Sequence, residues 1–222
     1  DGMTPAEQLA AVRQELLPQL VRHSECWHED LLPKLREAGI QVLRYDELKR
    51  KQRKLLRRHF EREIFTALTP LAFDPSHPFP HISNLSINLA VVINDPQYGE
   101  RFARLKVPSI FPRLLRIPSE DKAESCECRG LTEVMANNFV WLEEVVGANL
   151  DLLFPGMEIV AAYPFRITRD ADPEIEEDEA ADLLLAIEES VRMRRFGSAV
   201  RLEVDTAMPE RICDIRVSNI GL

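Results

Sequence analysis

The chain of 222 residues has only eight glycines, and none falls in a GxGxxG or GxxxxGK[ST] pattern. A glycine-rich loop that cradles phosphate through backbone N–H groups is therefore missing. HExxH and GxSxG are absent too, which removes the zincin and nucleophile-elbow chemistries. No apolar run approaches the ~18 residues of a membrane span. No basic segment leads into a short apolar one, so a secretory signal is not visible. Cysteine is scarce: Cys26, Cys126, Cys128 and Cys213 form one C-x-C and two distant singles, which is not a zinc spacing. Reduced, unpaired thiols are expected, with CECRG in a loop.

What is present is an ordinary globular composition, 45% hydrophobic and 29% charged. The opening DGMTPAEQ is unlike a natural start and suggests a fragment. The net charge is −9, but the charges are segregated. Eight Lys/Arg lie between Lys49 and Arg62, and ten Asp/Glu between Asp170 and Glu189. Overall acidity argues against general nucleic-acid binding, while the basic run leaves a polyanion partner open.

Thr4-Pro5-Ala6-Glu7 has the features of a helix start: a capping threonine, proline at the first position and glutamate completing the capping box. Apolar spacing then carries a helix of more than thirty residues to Gly39, with Pro18 and Pro33 expected to kink or split it. Such a helix needs a packing partner, as in a bundle. Ile40–Tyr45 reads as a short strand. Asp46 is expected to cap a second helix running to about Leu68, with Leu48, Leu55, Phe60 and Ile64 near one face and Leu56 beside it. Its basic residues, Arg53, Arg57 and Arg58 among them, are either a solvated face or a contact for polyphosphate or nucleic acid.

Beyond Pro70 the period becomes two. Leu85, Ile87, Leu89 and Val91 alternate with Ser86, Asn88 and Ala90, predicting a half-buried strand. Further strands are expected at Arg101–Val107, Leu114–Ile117, Phe139–Leu142, Met157–Thr168 (interrupted at Pro164) and Ala199–Val204. Helices are expected over Glu143–Phe154 and Glu174–Phe196, with another beginning at Pro209. The fold class is therefore α+β: a mixed domain with a mainly antiparallel sheet and flanking helices, preceded by a long helical segment.

Five histidines are candidates for chemistry: His23, His28, His59, His77 and His81. His23 and His28 are five apart and poorly placed for one helical face. His77 and His81 flank Pro78-Phe79-Pro80, where no helix can bring them together; in extended chain they lie ~13 Å apart. Stiffness from fixed proline φ angles explains that stretch better than a metal site. At the strand end Arg166-Ile167-Thr168-Arg169-Asp170, Arg166 and Arg169 could clamp phosphate. They could equally pair with acids that follow, Asp170 and Asp172 included. No active site emerges from the residues alone.

Several stretches in series resemble one family. LTPLAFDPSHPFPHISNLSINLAV resembles the entry to the head, or middle, domain of bacterial polyphosphate kinases. FPGMEIVAAYPFRITRDAD, EIEEDEAADLL and RRFGSAVRLEV follow in that family's order, and LLPKLREAGIQVL resembles the close of its N-terminal helical domain. SCECRGLTEVMANN and PERICDIRVSNIGL depart from the pattern.

The resemblance implies that residues 1–38 end the N-terminal helical domain and that 39–222 are the head domain. It implies an enzyme that reversibly transfers the terminal phosphate of ATP to inorganic polyphosphate through a phosphohistidine. That histidine, the main phosphate-binding arginines and the magnesium ligands would lie outside this chain, so no catalytic, cofactor-binding or metal residue is carried over. ATP and Mg are implied for the full-length enzyme only, and this portion alone is expected to be inactive. A homodimer or higher oligomer through the head domain is implied, together with one wall of a catalytic tunnel. No membrane span, no nucleic-acid partner and a bacterial cytoplasmic location are expected, with membrane association of the whole enzyme left open. The polyanion contacts that remain are Arg53, Arg57, Arg58, Arg166 and Arg169. The alternatives are a stand-alone polyanion-binding module and a purely structural interaction domain.

Overall fold

The computed structural model describes residues 2–73, 81–117, 137–170 and 197–214. It has the α+β arrangement expected, with helices against a mainly antiparallel sheet. Helix α1, Pro5–Glu25, starts as its sequence dictates. The Thr4 N–H donates to Glu7 Oε2 at 2.7 Å, and the Glu7 N–H donates back to Thr4 Oγ1 at 3.4 Å. The helix passes through Pro18 without ending. The regular repeat changes later, in a π-helical turn, Cys26–Leu31, closed by the Leu32 N–H donating to the Trp27 carbonyl. Pro33 then sits in the first turn of α2, Leu32–Glu37, where a missing N–H costs least.

Gly39 at φ +78° ends the helical lead, with Ile40 donating to the Leu35 carbonyl at 2.8 Å and Gly39 to that of Arg36 at 3.0 Å. This is the double bond pattern of a Schellman stop, which needs a left-handed residue at that place. Trp27 meets Trp141 with ring centroids 6.1 Å apart. Most of α1 is exposed, including Leu9, Val12 and Val21.

Strand β1, Gln41–Leu43, follows, then a 3-10 turn, Tyr45–Glu47. The basic helix α3 covers Arg50–His59, so it begins later than Asp46. The reason is local. Glu47 and Arg44 close the 3-10 turn, with the Arg44 N–H donating to Glu47 Oε2 at 2.8 Å, and extended Leu48 and Lys49 separate that turn from α3. Gln52 Oε1 then accepts from the Lys49 N–H at 2.9 Å. A second π-helical turn, Phe60–Ile64, and a 3-10 turn, Phe65–Ala67, extend α3. The buried inner residues are Leu48, Leu56, Phe60 and Ile64; Leu55 is only partly covered.

Five antiparallel strands form the main sheet in the order β2-β4-β3-β7-β8: β2 Pro70–Phe73, β3 Ile87–Asp95, β4 Gly99–Lys106, β7 Glu158–Arg169 and β8 Ala199–Val204. A smaller sheet orders β1, β6 (Asn138–Trp141) and β5 (Leu114–Arg116), with β1 and β6 parallel. Helix α4, Leu142–Gly147, continues directly from β6. It is shorter than the helix expected to reach Phe154; Asn149 stops it, and the 3-10 turn Leu150–Leu152 follows.

Strand β3 lies at the centre and is buried on both faces rather than one. Leu89, Val91 and Ile93 join a core with α3, β5, β6 and α4, while Ala90 and Val92 join a second core with Ile82, Phe165, Ile167 and Ile212. Polar Asn88, fully buried, had suggested a wet face. The strand also starts later, because Leu85 adopts φ 57° in the preceding turn.

Strand β7 runs unbroken through Pro164. The Pro164 carbonyl accepts from the Asp205 N–H at 3.1 Å, one residue beyond the end of β8. Its nitrogen faces the same edge, toward Asp205 and away from central β3, so the missing N–H is lost only at the end of the β7–β8 ladder and removes no bond to β3. Residues 210–214 are helical, as expected after Pro209. The acidic helix expected over Glu174–Phe196, the CECRG loop and His77 lie outside the described residues.

Candidate functional site

The arginines of interest fall into two groups. In the first, α3 presents its inner face to the core and so fixes where each basic side chain points. Arg53 Nε donates to the Leu48 carbonyl at 2.9 Å, and its Nη2 donates to the Asp46 carbonyl. It therefore satisfies carbonyls left by the 3-10 turn. Arg57 makes a fork to Asp151, Nη1 to Oδ1 at 2.9 Å and Nη2 to Oδ2 at 2.6 Å, and reaches Asn149 Oδ1 at 3.3 Å. This pair holds the Asp151 carboxyl below its ordinary value. Buried Asn149 donates to the Val145 carbonyl at 2.7 Å, so Arg57 grips the turn that ends α4. Arg58 is exposed and has no hydrogen bond or ion pair among the described residues.

The second group stands at the end of β7. Arg166 forks onto Glu203 of β8, 2.7 Å from Nε and 2.9 Å from Nη2. The carboxylate it holds is thus on the neighbouring strand β8; Asp172 lies outside the described residues. Arg169 Nε donates to the Ile82 carbonyl at 2.8 Å and its Nη1 to the Gly197 carbonyl at 2.8 Å, bracing two loops. Of the five arginines singled out from the sequence, only Arg58 is without a partner among the described residues.

Arg166, with help from Arg201, depresses the Glu203 carboxyl below its ordinary 4.5, against the opposing effect of burial. A depressed carboxylate contributes stability that is complete above its unfolded value and is lost as pH falls through the folded one. Thermal midpoints measured against pH should therefore fall below about pH 4.5. Glu203→Gln should flatten part of that acid limb and leave the neutral one parallel. An unchanged acid limb in the variant would show that the fork contributes nothing.

Two clefts open on the side where the helical lead meets the sheets. The larger, about 790 Å³, is walled by Trp27, Arg36, Tyr45, Trp141 and Glu144; the smaller is about 270 Å³, and both share Glu143 and Pro164. Glu143 Oε1 accepts from Arg113 Nη2 at 2.8 Å, and Arg113 lies over the Trp141 ring, 4.9 Å from its centroid. Burial raises the Glu144 carboxyl, although its Oε2 accepts from the Tyr45 N–H at 2.6 Å. No group of three or more His, Cys, Asp and Glu is gathered for a metal ion among the described residues. Of the histidines, His59 Nδ1 stands 3.3 Å from Glu63.

Sequence reasoning overlooked Arg104, which is 6% exposed in the middle of β4. Its Nε donates to Asn88 Oδ1 at 2.9 Å and its Nη1 to the His81 carbonyl at 2.9 Å. The only signal was an arginine at an inward position of a strand.

The family model described as the polyphosphate kinase middle domain matches residues 51–222. A polyphosphate kinase of Aphanizomenon baltica is 50% identical over 224 residues, an alignment covering 100% of this chain and 57% of that protein. Polyphosphate kinase 1 of Chlorobaculum tepidum is 44% identical over 224 residues, covering 100% of this chain and 31% of the relative. The chain thus spans little more than half of the first and under a third of the second. The crystal structure of polyphosphate kinase from Porphyromonas gingivalis shares the fold, with a TM-score of 0.71 and 24% identity over 96% of this chain and 28% of that one.

Proposed function

Because the chain belongs to the polyphosphate kinase family, we propose that it is the non-catalytic head portion of an enzyme that moves the terminal phosphate of ATP onto inorganic polyphosphate. The observation that carries this is the middle-domain match across residues 51–222. In this role the chain supports self-association and one wall of the tunnel through which the phosphate chain passes, in the bacterial cytoplasm. The phosphorylated histidine belongs to another part of the polypeptide. ATP and magnesium belong there too. The described residues offer no cluster of carboxylates and imidazoles to seat the metal. Outside the head domain, the exposed apolar residues of α1, where Leu9 is 72% and Val12 61% exposed, offer a second surface for a packing partner.

Incubated with ATP, magnesium and a polyphosphate primer, the chain should neither lengthen the primer nor acquire an acid-labile phosphate on histidine. Sedimentation should show a dimer or larger assembly. Phosphotransfer by this chain would refute the non-catalytic role, and a clean monomer at high concentration would refute the assembly role.

A further inference from the structure

Helix α3 sorts its cations. Arg53 and Arg57 are held by partners, whereas Arg50, Lys54 and Arg58 follow at i,i+4 steps on the exposed side. Arg62 comes four residues later, in the π-helical turn, 76% exposed. Arg50, Lys54 and Arg58 have no hydrogen bond or ion pair among the described residues, and Arg62 only a 3.7 Å approach to Glu63.

A solvated helix face ordinarily mixes charge signs, because like charges at i,i+4 destabilise a helix. Here three successive steps are like-charged. The two acids nearby are shared with other partners: Glu61 lies 3.4 Å from Arg57, and Glu63 lies 3.3 Å from His59 as well as 3.7 Å from Arg62. The row cannot roll inward, because Leu56, Phe60 and Ile64 are buried on the opposite side and Arg57 is forked to Asp151. All this occurs in a chain of net charge −9, so the row is a local feature and not a general basicity.

We infer that Arg50, Lys54, Arg58 and Arg62 form a track for a linear polyanion, an unbranched chain of phosphates lying along α3. The choice of polyphosphate rests on the function proposed above; the track itself rests on the self-repelling row. Arg50–His59 contains no Phe, Tyr or Trp on which a base could stack, which disfavours single-stranded nucleic acid. Beside the row only Phe65, at 37%, is an exposed large apolar residue between 50 and 65, too little apolar surface for a helix face that enters a membrane.

The test is calorimetric titration of the 222-residue chain with sodium polyphosphate of defined length across a NaCl series. It is set against R50Q/K54Q/R58Q/R62Q. Each phosphate contact adds roughly 0.7 to the slope of log K on log salt for a single strand of charge, so the variant's slope should be shallower by roughly 3. Its affinity at low salt should fall at least about tenfold. The free variant should melt higher than the parent, having lost its internal repulsion, and should no longer be stabilised by polyphosphate. Arg166→Gln should bind like the parent, because that guanidinium is taken by Glu203. Orthophosphate should bind far more weakly than the chain.

The track is overturned if the parent does not bind polyphosphate or the quadruple variant binds it equally well. Matching affinity for orthophosphate, or tighter binding to duplex DNA or phosphatidylglycerol vesicles, overturns it too. None of these outcomes touches the non-catalytic and assembly roles, which are decided by the phosphotransfer and sedimentation results.

Discussion

Phe60→Ala should lower the unfolding free energy by about 3–5 kcal/mol, the range for emptying a fully buried aromatic site. Phe60 is 0% exposed and lies in the π-helical turn that follows α3. It stands between Leu56 and Ile64 on the inner face and meets Phe65 edge-on, with centroids 6.4 Å apart. Truncation removes the transfer free energy of the ring and leaves a cavity walled by α3 and the main sheet, which cannot close without moving both. Urea unfolding should show an earlier midpoint with little change in slope, the signature of lost stability in an otherwise similar fold. Phe60→Leu should recover much of the loss. A deficit under about 1 kcal/mol for alanine would mean that α3 is not part of the cooperative unit.

The second large effect is at Asn88, and its size depends on which partner is removed. Asn88 Oδ1 accepts from the buried Arg104 guanidinium, and its amide donates to the Ser86 carbonyl at 2.9 Å and to Ser86 Oγ at 3.1 Å. Burial already disfavours the charged form of Arg104. Asn88→Ala leaves that cation in place with the His81 carbonyl as its remaining acceptor, an expected cost of about 2–4 kcal/mol. Arg104→Met removes the cation itself and strands only neutral acceptors, so about 1–2 kcal/mol is expected. The double variant should therefore cost clearly less than the sum of the singles, since the charge that made Asn88→Ala expensive is gone. Strict additivity in that cycle, measured by denaturant unfolding, would show that the 2.9 Å bond is not energetically coupled.

These two sites show how far sequence patterns reach. The caps of α1, the stop at Gly39 and the strand at Ala199–Val204 are local events, set by residues within a turn or two, and they were legible. Asn88 misled because alternation reports polarity, not burial. A second layer built from Ile82, Phe165 and Ile212 covers the face that looked wet. Pro164 misled for a related reason, since whether its missing N–H matters depends on where β8 stops, some forty residues later. The basic run was visible, but its sorting was not. Arg57 is taken by Asp151, 94 positions away, and Arg166 by Glu203, 37 positions away. Only folding separates held cations from exposed ones, and the exposed row Arg50, Lys54, Arg58 and Arg62 differs from the set that spacing first suggested.

The order of the main sheet has a kinetic meaning. Strands β3 and β4 meet through the short turn between Asp95 and Gly99, and β2 adds to β4 from nearby in sequence. The other neighbour of β3 is β7, whose Arg166 pairs with Ile87 across 79 positions, and two strands of the smaller sheet, β5 and β6, lie in the intervening chain. Joining local strands closes a small loop, while seating β7 requires the whole excursion to be gathered first, at a larger entropic cost. The central seam of the sheet, dry on both faces, is therefore the late and slow event of folding. Until it closes, β3 exposes an unpaired apolar edge, and a newly made chain is most prone to aggregate in that interval.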